Sequence, residues 1–382
     1  MRYLAILGRQ PEISIAELEA ILDNTWAGPA VASSPTSRLR SAGVPQATSP
    51  AHATFSASSP IDIRRLGGVL KVAEELVERP LDYLQSLPEG KVTIGVSDYS
   101  KGATKRSAQG EALKLKKILV RHGRSVRVVE NKEAVLSTAT SLHNGLSGKN
   151  SRKVELIKLN NEWYRVVGVQ DVDAYAKRDQ ARPARDAKVG MLPPKLAQIL
   201  INLCGPLKFG ATVLDPFCGT GVVLQEALLM GYQAYGTDIS DRMIEYSEKN
   251  LKHFDFKGYR LEVGDATSHK WTQSVAAVAC EGYLGKPFSR VPSEMELKEQ
   301  KQECAATVLG FLKNLAGQVK AGTPVVIAVP AWLREDGHYE QMVLLDEIEG
   351  MGYNVNNKSR EGLLYYREEQ IVARDIIILR KK

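Results

Sequence analysis

The chain of 382 residues is poor in the residue types that staple or metallate a fold. Its four cysteines, Cys204, Cys218, Cys280 and Cys304, form no Cys-x-x-Cys pair, and its six histidines form no His-x-x-x-His pair. Disulfide frameworks and zinc sites are built from such spacings, so neither is expected and no metal is assigned. No apolar run approaches the ~20 residues that cross a bilayer. The opening 22 residues read as a short strand and an amphipathic helix rather than a signal peptide. Free thiols without an export signal fit a cytoplasmic chain, and nothing points to a membrane. Strong net charge is also missing: the balance is +7, but it is unevenly placed. Between residues 101 and 132, ten Lys or Arg face only Glu111 and Glu130, which leaves the remainder near neutral. Such a block is either a nucleic-acid surface or a solvated helix face.

What is present is ordinary for a globular protein of two or three domains, with 43% hydrophobic and 25% charged residues. A strand is expected over 2–7 and a turn over 8–11. A helix follows, capped by Ser14 with Glu17 at capping-box spacing, and with Ile15, Leu18, Ile21 and Leu22 on its apolar face. Residues 27–60 turn to Ala, Ser, Pro and Thr, and are expected to be an insertion with a short strand near 54–57. A helix is expected over 61–77, with Leu66, Val69, Leu70, Ala73 and Leu76 on one side. Strands are expected at 91–97, 125–129, 154–159 and 163–169, the last two joined as a hairpin at Asn160-Asn161. A basic helix over 109–121 lies among them, and the segment 135–142 pairs or packs beside them. This makes an α+β region ending near Gly168. The polar connector after it, with Arg178, Arg182 and Arg185, is either plain linker or a phosphate grip.

A helix led by Pro193 and Pro194 comes next, and from Thr212 strands and helices alternate. The strands fall at 212–214, 234–238, 259–263, 276–280 and 324–329. The helices fall at 222–230, 241–251, 293–319 and 338–351, and a strand pair at 353–359 and 373–379 closes the region. Alternation of this kind implies a mostly parallel sheet with helices on both faces and a ligand crevice at the carboxyl ends of its strands. The first strand runs into Asp215-Pro216-Phe217-Cys218-Gly219-Thr220-Gly221. Two glycines allow positive φ and close ligand approach beside a helix start whose N–H groups are unpaired. The dinucleotide fingerprint needs a third glycine, and that place holds Leu224. Glycine-rich turns also occur without ligands. Asp215, Asp238 and Asp265 stand at the ends of three successive strands; each alone is an ordinary helix cap, but together they favour a ligand carrying ribose and adenine.

Asp-x-x-x-Gly-x-Gly resembles motif I of the class I S-adenosylmethionine (SAM) methyltransferases, and Asp-Pro-Phe-Cys-Gly-Thr-Gly is similar to their nucleic-acid amino-methylating branch. The lead-in from Arg178 through Arg182-Pro183 to Gly190-Met191-Leu192-Pro193-Pro194-Lys195 resembles that of the archaeal and eukaryotic tRNA guanosine N2-methyltransferases acting at position ten. The resemblance implies an α/β fold: a Rossmann-like class I methyltransferase domain over 191–382 with a mostly parallel seven-stranded sheet. Before it would come a ferredoxin-like region over 1–88, a THUMP RNA-binding domain over 89–170 and a linker over 171–190. It implies that Asp215, Gly219 and Gly221 hold the methionine end of SAM, Asp238 the ribose and Asp265 the adenine amino group. Where the family has Asn/Asp-Pro-Pro-Tyr, this chain has Glu281-Gly282-Tyr283-Leu284. Glu281 and the Gly282 carbonyl would accept hydrogen bonds from the target amine, and Tyr283 would stack on the base. Lys105, Arg106, Lys114, Lys117, Arg121 and Arg124 would meet tRNA phosphates. No activator subunit is indicated. Amino-methylation of DNA or ribosomal RNA, or a catalytically degenerate RNA-binding protein, remain the alternatives.

Overall fold

The computed structural model describes residues 1–22, 51–57, 61–185, 191–342, 344–356, 359, 362–368 and 370–382. Most of the insertion expected over 27–60, and Asp186 to Gly190 of the lead-in, lie outside the described residues. The chain divides into two compact units, Met1–Ile15 with Asn24–Ala174, and Ala16–Asp23 with Tyr175–Lys382.

The first unit is built on a seven-stranded sheet. Its strands are β1 (Arg2–Leu7), β2 (His52–Ser56), β3 (Val69–Glu75), β4 (Val92–Asp98), β5 (Val126–Val128), β6 (Lys153–Leu159) and β7 (Glu162–Val169), in the order β2-β1-β3-β7-β6-β4-β5. Helices α2 (Pro80–Ser86), α3 (Lys105–Arg121) and α4 (Thr138–His143) belong with it, while α1 (Pro11–Ile21) runs across the division of the chain. The hairpin is where it was expected, and Asn160 takes φ 54° in its turn. Three expectations change. The short strand near 54–57 begins earlier, at His52. Ser14 does not cap α1, which starts at Pro11; its hydroxyl instead donates to the Gly68 carbonyl at 2.8 Å. The helix expected over 61–77 is a helical turn at Ile63–Arg65 followed, after Gly67-Gly68, by strand β3. That strand lies between β1 and β7, and Lys71, Val72 and Ala73 in succession are all buried. A strand covered on both faces loses the apolar–polar alternation that would have marked it.

Lys71 is 1% exposed, and each of its three ammonium protons has an acceptor: Glu155 Oε1 at 2.6 Å, Ser141 Oγ at 2.8 Å and the Leu136 carbonyl at 2.7 Å. Glu155 in turn accepts from Ser97 Oγ and Ser141 Oγ, both at 2.6 Å. A buried ion pair persists when its remaining donors and acceptors are satisfied in this way.

Helix α5 (Val172–Gln180) occupies much of what the sequence marks as connector and runs across the division of the chain; α6 (Pro194–Leu203) follows in the second unit. Then come β8 (Thr212–Asp215), α7 (Val222–Leu229), β9 (Gln233–Asp238), α8 (Asp241–His253), β10 (Tyr259–Val263), β11 (Ala277–Glu281), α9 (Glu294–Ala316) and β12 (Pro324–Leu333). The segment expected as a helix over 338–351 is instead a short strand, β13 (Tyr339–Gln341), paired with β12, and a shorter helix, α10 (Leu345–Gly350). β14 (Tyr353–Val355), β15 (Leu364–Tyr365) and β16 (Val372–Lys381) end the chain. The sheet order is β10-β9-β8-β11-β12-β16-β14, parallel through β12 and antiparallel from there on. Leu214, Val278, Cys280, Val325, Ile327 and Ile377 turn to one face and pack with Phe311, Leu312 and Leu315 of α9. Alternation sends Asp215, Ala279, Glu281 and Ala328 to the other face.

Candidate active site

Strand order reverses at β8: the chain moves outward to β9 and β10, then returns to place β11 on the other side. Carboxyl ends of strands beside such a reversal form a crevice, and three of them here end in an acid: Asp215, Asp238 and Glu281.

The glycine turn is fixed from both sides. Gly219 has φ 49° and a side chain there would meet only open space, its nearest neighbour being the Phe217 carbonyl at 3.9 Å. Gly221 has φ 83° and heads α7; a methyl group there would sit 2.9 Å from Ser247 Oγ. One glycine leaves room for a ligand, and the other lets α8 close on the turn. Ser247 Oγ donates to the Gly219 carbonyl at 2.8 Å, and Asn250 Nδ2 to the Thr220 carbonyl at 2.9 Å. The other side of Asn250 holds Ala184 through both its main-chain groups.

Arg178 and Arg182, weighed above as phosphate ligands, are used inside this unit. Arg178 Nε donates to Glu226 of α7 at 2.8 Å, and Arg182, 3% exposed, donates to Thr220 Oγ1 at 3.2 Å and to Asp179. The polar segment therefore braces the turn. Sequence alone gave no sign of this, because a charged connector and a charged brace have the same composition.

The three carboxylates differ in their surroundings. Asp215 is 2% exposed; its Oδ1 accepts the Phe217 N–H at 3.1 Å, and its Oδ2 has no hydrogen-bond partner among the described residues. Burial pushes this carboxyl well above the usual carboxylate range, against the pull of the Phe217 N–H, and the nearby charges of Asp238 and Glu281 add to the rise. Asp238 is half-buried and also raised by burial. Its two oxygens accept the N–H groups of Gly219 and Ser240, each at 2.9 Å, which ties the ends of β8 and β9 together and fixes the carboxylate's orientation. Glu281 accepts from Nε of Arg374 on β16. Burial drives the thiols of Cys218 and Cys280 far up, so neither is an available nucleophile.

Asp265 stands apart from these three. It is exposed, and its Oδ1 accepts from the N–H and hydroxyl of Thr267 at 2.8 and 2.7 Å, making it the cap of its own turn. The preceding residue keeps that turn near β9, since the Gly264 N–H donates to the Asp238 carbonyl at 2.9 Å. Gly282 continues the pairing with β12 through its N–H to Ala328. The ring of Tyr283 packs at the edge of the α9 core, and its hydroxyl donates to Glu303 at 3.1 Å; burial and that carboxylate raise it to about 12.

Ile239 was missed. It directly follows Asp238, is 72% exposed, and has exposed Val263 at the end of the neighbouring strand. An exposed apolar residue beside a strand-end carboxylate offers a surface to a flat ring. Its signal was an isoleucine in an otherwise polar turn, Asp238-Ile239-Ser240-Asp241.

On α3, Lys105, Arg106, Lys114, Lys117 and Arg121 are exposed, with Glu130 and Glu111 within 3.7 and 3.6 Å of Lys105 and Lys114. Arg124 differs: its guanidinium donates to the carbonyls of Leu87 and Pro88, which pins a loop.

Known proteins resemble parts of this chain. Residues 207–314 match a family model described as a methyltransferase domain, and residues 133–249 one described as a DNA methylase. The chain is 32% identical over 157 residues to the tRNA (guanine(10)-N2)-dimethyltransferase of Methanothermobacter thermautotrophicus, a match covering 41% of this chain and 44% of that protein. It is 38% identical over 103 residues to the enzyme of the same name from Pyrococcus abyssi, covering 27% of each. The chain thus spans less than half the length of these curated relatives. The crystal structure of TrmN from Thermus thermophilus aligns over the whole of both chains at 16% identity with a TM-score of 0.46. The sheet order, the acid-ended first strand and the glycine turn, with the methyltransferase-domain match, give the second unit a Rossmann-like class I methyltransferase fold.

Proposed function

We propose that this chain is a SAM-dependent methyltransferase that modifies the exocyclic N2 amine of a guanosine in tRNA. The observation that carries the proposal is the convergence of Asp215, Asp238 and Glu281 on the Gly219–Gly221 turn at the reversal of strand order. The names of the partly matching relatives support the choice of tRNA and of guanine N2.

The residues fit the cofactor. Asp215 would hold the cationic methionine end, and the cation would offset the cost of ionising a buried carboxylate. Asp238, already aimed by two main-chain N–H groups, would accept from the ribose hydroxyls, while Ile239 would lie against the base and Asp265 would meet the adenine amino group. When bound, SAM supplies an electrophilic methyl group. The chain's own part is positioning: Glu281 and the Gly282 carbonyl accept the two N–H bonds of the target amine, which turns its lone pair toward the methyl group. Tyr283, its hydroxyl held by Glu303, would stack on the base.

The first unit, with the exposed cations of α3, serves as a THUMP-like RNA-binding region over 89–170 after a ferredoxin-like region over 1–88, and the protein acts in the cytoplasm. Among the described residues no helix is long and apolar enough to cross a membrane. DNA is the second reading, favoured by the match to a model described as a DNA methylase. Nucleoside mass spectrometry of tRNA from cells with and without the gene tests the choice. Loss of N2-methylguanosine is expected; an unchanged tRNA profile with methylated DNA selects the second reading. Binding of SAM and tRNA without any transfer leaves only a degenerate binding protein.

A further inference from the structure

We infer that Arg374 is a positioning residue that holds the Glu281 carboxylate at the reacting edge from two strands away. The inference rests on the methyltransferase function proposed above.

Arg374 lies near the start of β16, its side chain only 6% exposed, and its Nε donates to Glu281 Oε1. Strand register explains how the two meet. Glu281 pairs with Ala328 on β12, and Ala328 pairs with Ile376 on β16. Arg374 is two residues from Ile376, so Glu281, Ala328 and Arg374 share one face of the sheet. Two strand spacings, about 10 Å, separate β11 from β16. A glutamate and an arginine together close that gap over the methyl group of Ala328. An aspartate or asparagine at position 281 would fall short of the guanidinium.

Charge makes the bridge necessary. Asp215 lies close enough to Glu281 for their charges to interact, so an unrestrained Glu281 side chain would swing away from it. The arginine opposes that movement. It occupies Oε1 and leaves Oε2, which has no hydrogen-bond partner among the described residues, to accept from the amine. The Asn/Asp-Pro-Pro-Tyr motif that this stretch resembles has Asn or Asp here, and an asparagine needs no counter-charge. In this chain the longer acid and the buried arginine work as a coupled pair, which accounts for the departure at position 281.

The test uses the full chain, SAM binding by calorimetry, and steady-state methyl transfer to a tRNA transcript. Arg374→Gln is expected to lower kcat by roughly 100-fold, the cost of a small misplacement at a reacting centre. The KM for SAM should stay within about 2-fold, because the loss falls on the transition state alone. Arg374→Lys, which keeps the charge but loses reach, should recover part of kcat. In an Glu281→Asn background nothing remains for the arginine to hold, so adding Arg374→Gln should change kcat by less than about 3-fold.

Equal losses in both backgrounds, an unchanged kcat in R374Q, or a rise in KM for SAM alone would overturn the positioning role. If R374Q loses SAM binding altogether, R374K against the unmodified chain and E281N/R374Q against E281N decide the matter by the same criteria. An unmodified chain that binds SAM but transfers no methyl group overturns the methyltransferase function, and this role with it.

Discussion

The two units bury charge in opposite ways. In the first, Lys71 and Glu155 are fully enclosed, and every proton and most lone pairs are matched by Ser97, Ser141 and the Leu136 carbonyl. In the second, Asp215, Asp238 and Glu281 crowd like charges together, with Arg374 as the one cation bonded to them among the described residues. A closed network holds strands in register and has nothing left to offer a ligand. An under-compensated cluster of acids is a standing demand for a cation, and a sulfonium or ammonium group answers it.

The largest expected effect lies on the closed side. Lys71→Met leaves Glu155 buried without its partner and should cost about 3–5 kcal/mol in chemical unfolding, whereas adding Glu155→Leu should restore most of that loss. If the single and double changes destabilise alike, the network is not a closed pair. On the open side, Asp238→Ala should weaken SAM binding by about 1.5–3 kcal/mol, the value of hydrogen bonds to a charged group, and should cost the fold less than the Lys71 change, through the Gly219 and Ser240 N–H groups it leaves unpaired. Calorimetric titration measures both the affinity and its absence.

Asp215→Asn separates stability from function more finely. The folded carboxyl is raised above its unfolded value, so the folded chain holds the proton more tightly and stability falls as pH rises from the ordinary Asp range toward the raised value. At neutral pH the amide removes that penalty. A gain of roughly 1 kcal/mol, about 2–4 °C in melting temperature, is expected together with loss of SAM binding. In the unmodified chain SAM should bind more tightly as pH rises through the raised range, because the cation favours the ionised acid; proton release measured in buffers of different ionisation enthalpy checks the sign. The smallest effect is expected on α3. Arg121→Ala should weaken RNA binding uniformly and lower the salt slope by about 1. Arg124→Ala should leave that slope alone and destabilise the first unit, and equal slopes for the two changes would return Arg124 to the RNA surface.

The same contrast decides what was legible in the sequence. Asp215, the two glycines and Asp238 are local signals: each sits where a strand stops, and the spacing of strand, acid and turn is written in consecutive residues. The alternation from Thr212 onward likewise placed β8 to β12 within a residue or two at most ends. β3 was misread because it is an inner strand whose partners, β1 and β7, lie far from it in the chain, and because both of its faces are covered. Lys71 then passed for the polar side of a helix. Arg374 was invisible for a related reason: it joins Glu281 across 93 residues, and only the register of β11, β12 and β16 brings them together. Arg178 and Arg182 show the limit of composition, since neither their number nor their spacing reveals that Glu226 and Thr220 receive them.

Those two arginines also set where the second unit can be cut from the chain. A fragment beginning at Met191, just ahead of α6, would strand Glu226, which is wholly buried, without the guanidinium of Arg178. It would also strip Thr220 and Asn250 of Arg182 and Ala184, the contacts that steady the glycine turn. Such a fragment should express poorly and bind cofactor weakly even with every strand present. One beginning ahead of Tyr175 keeps the clasp and lacks, of that unit, the Ala16–Asp23 segment whose Glu17 accepts from Asn202.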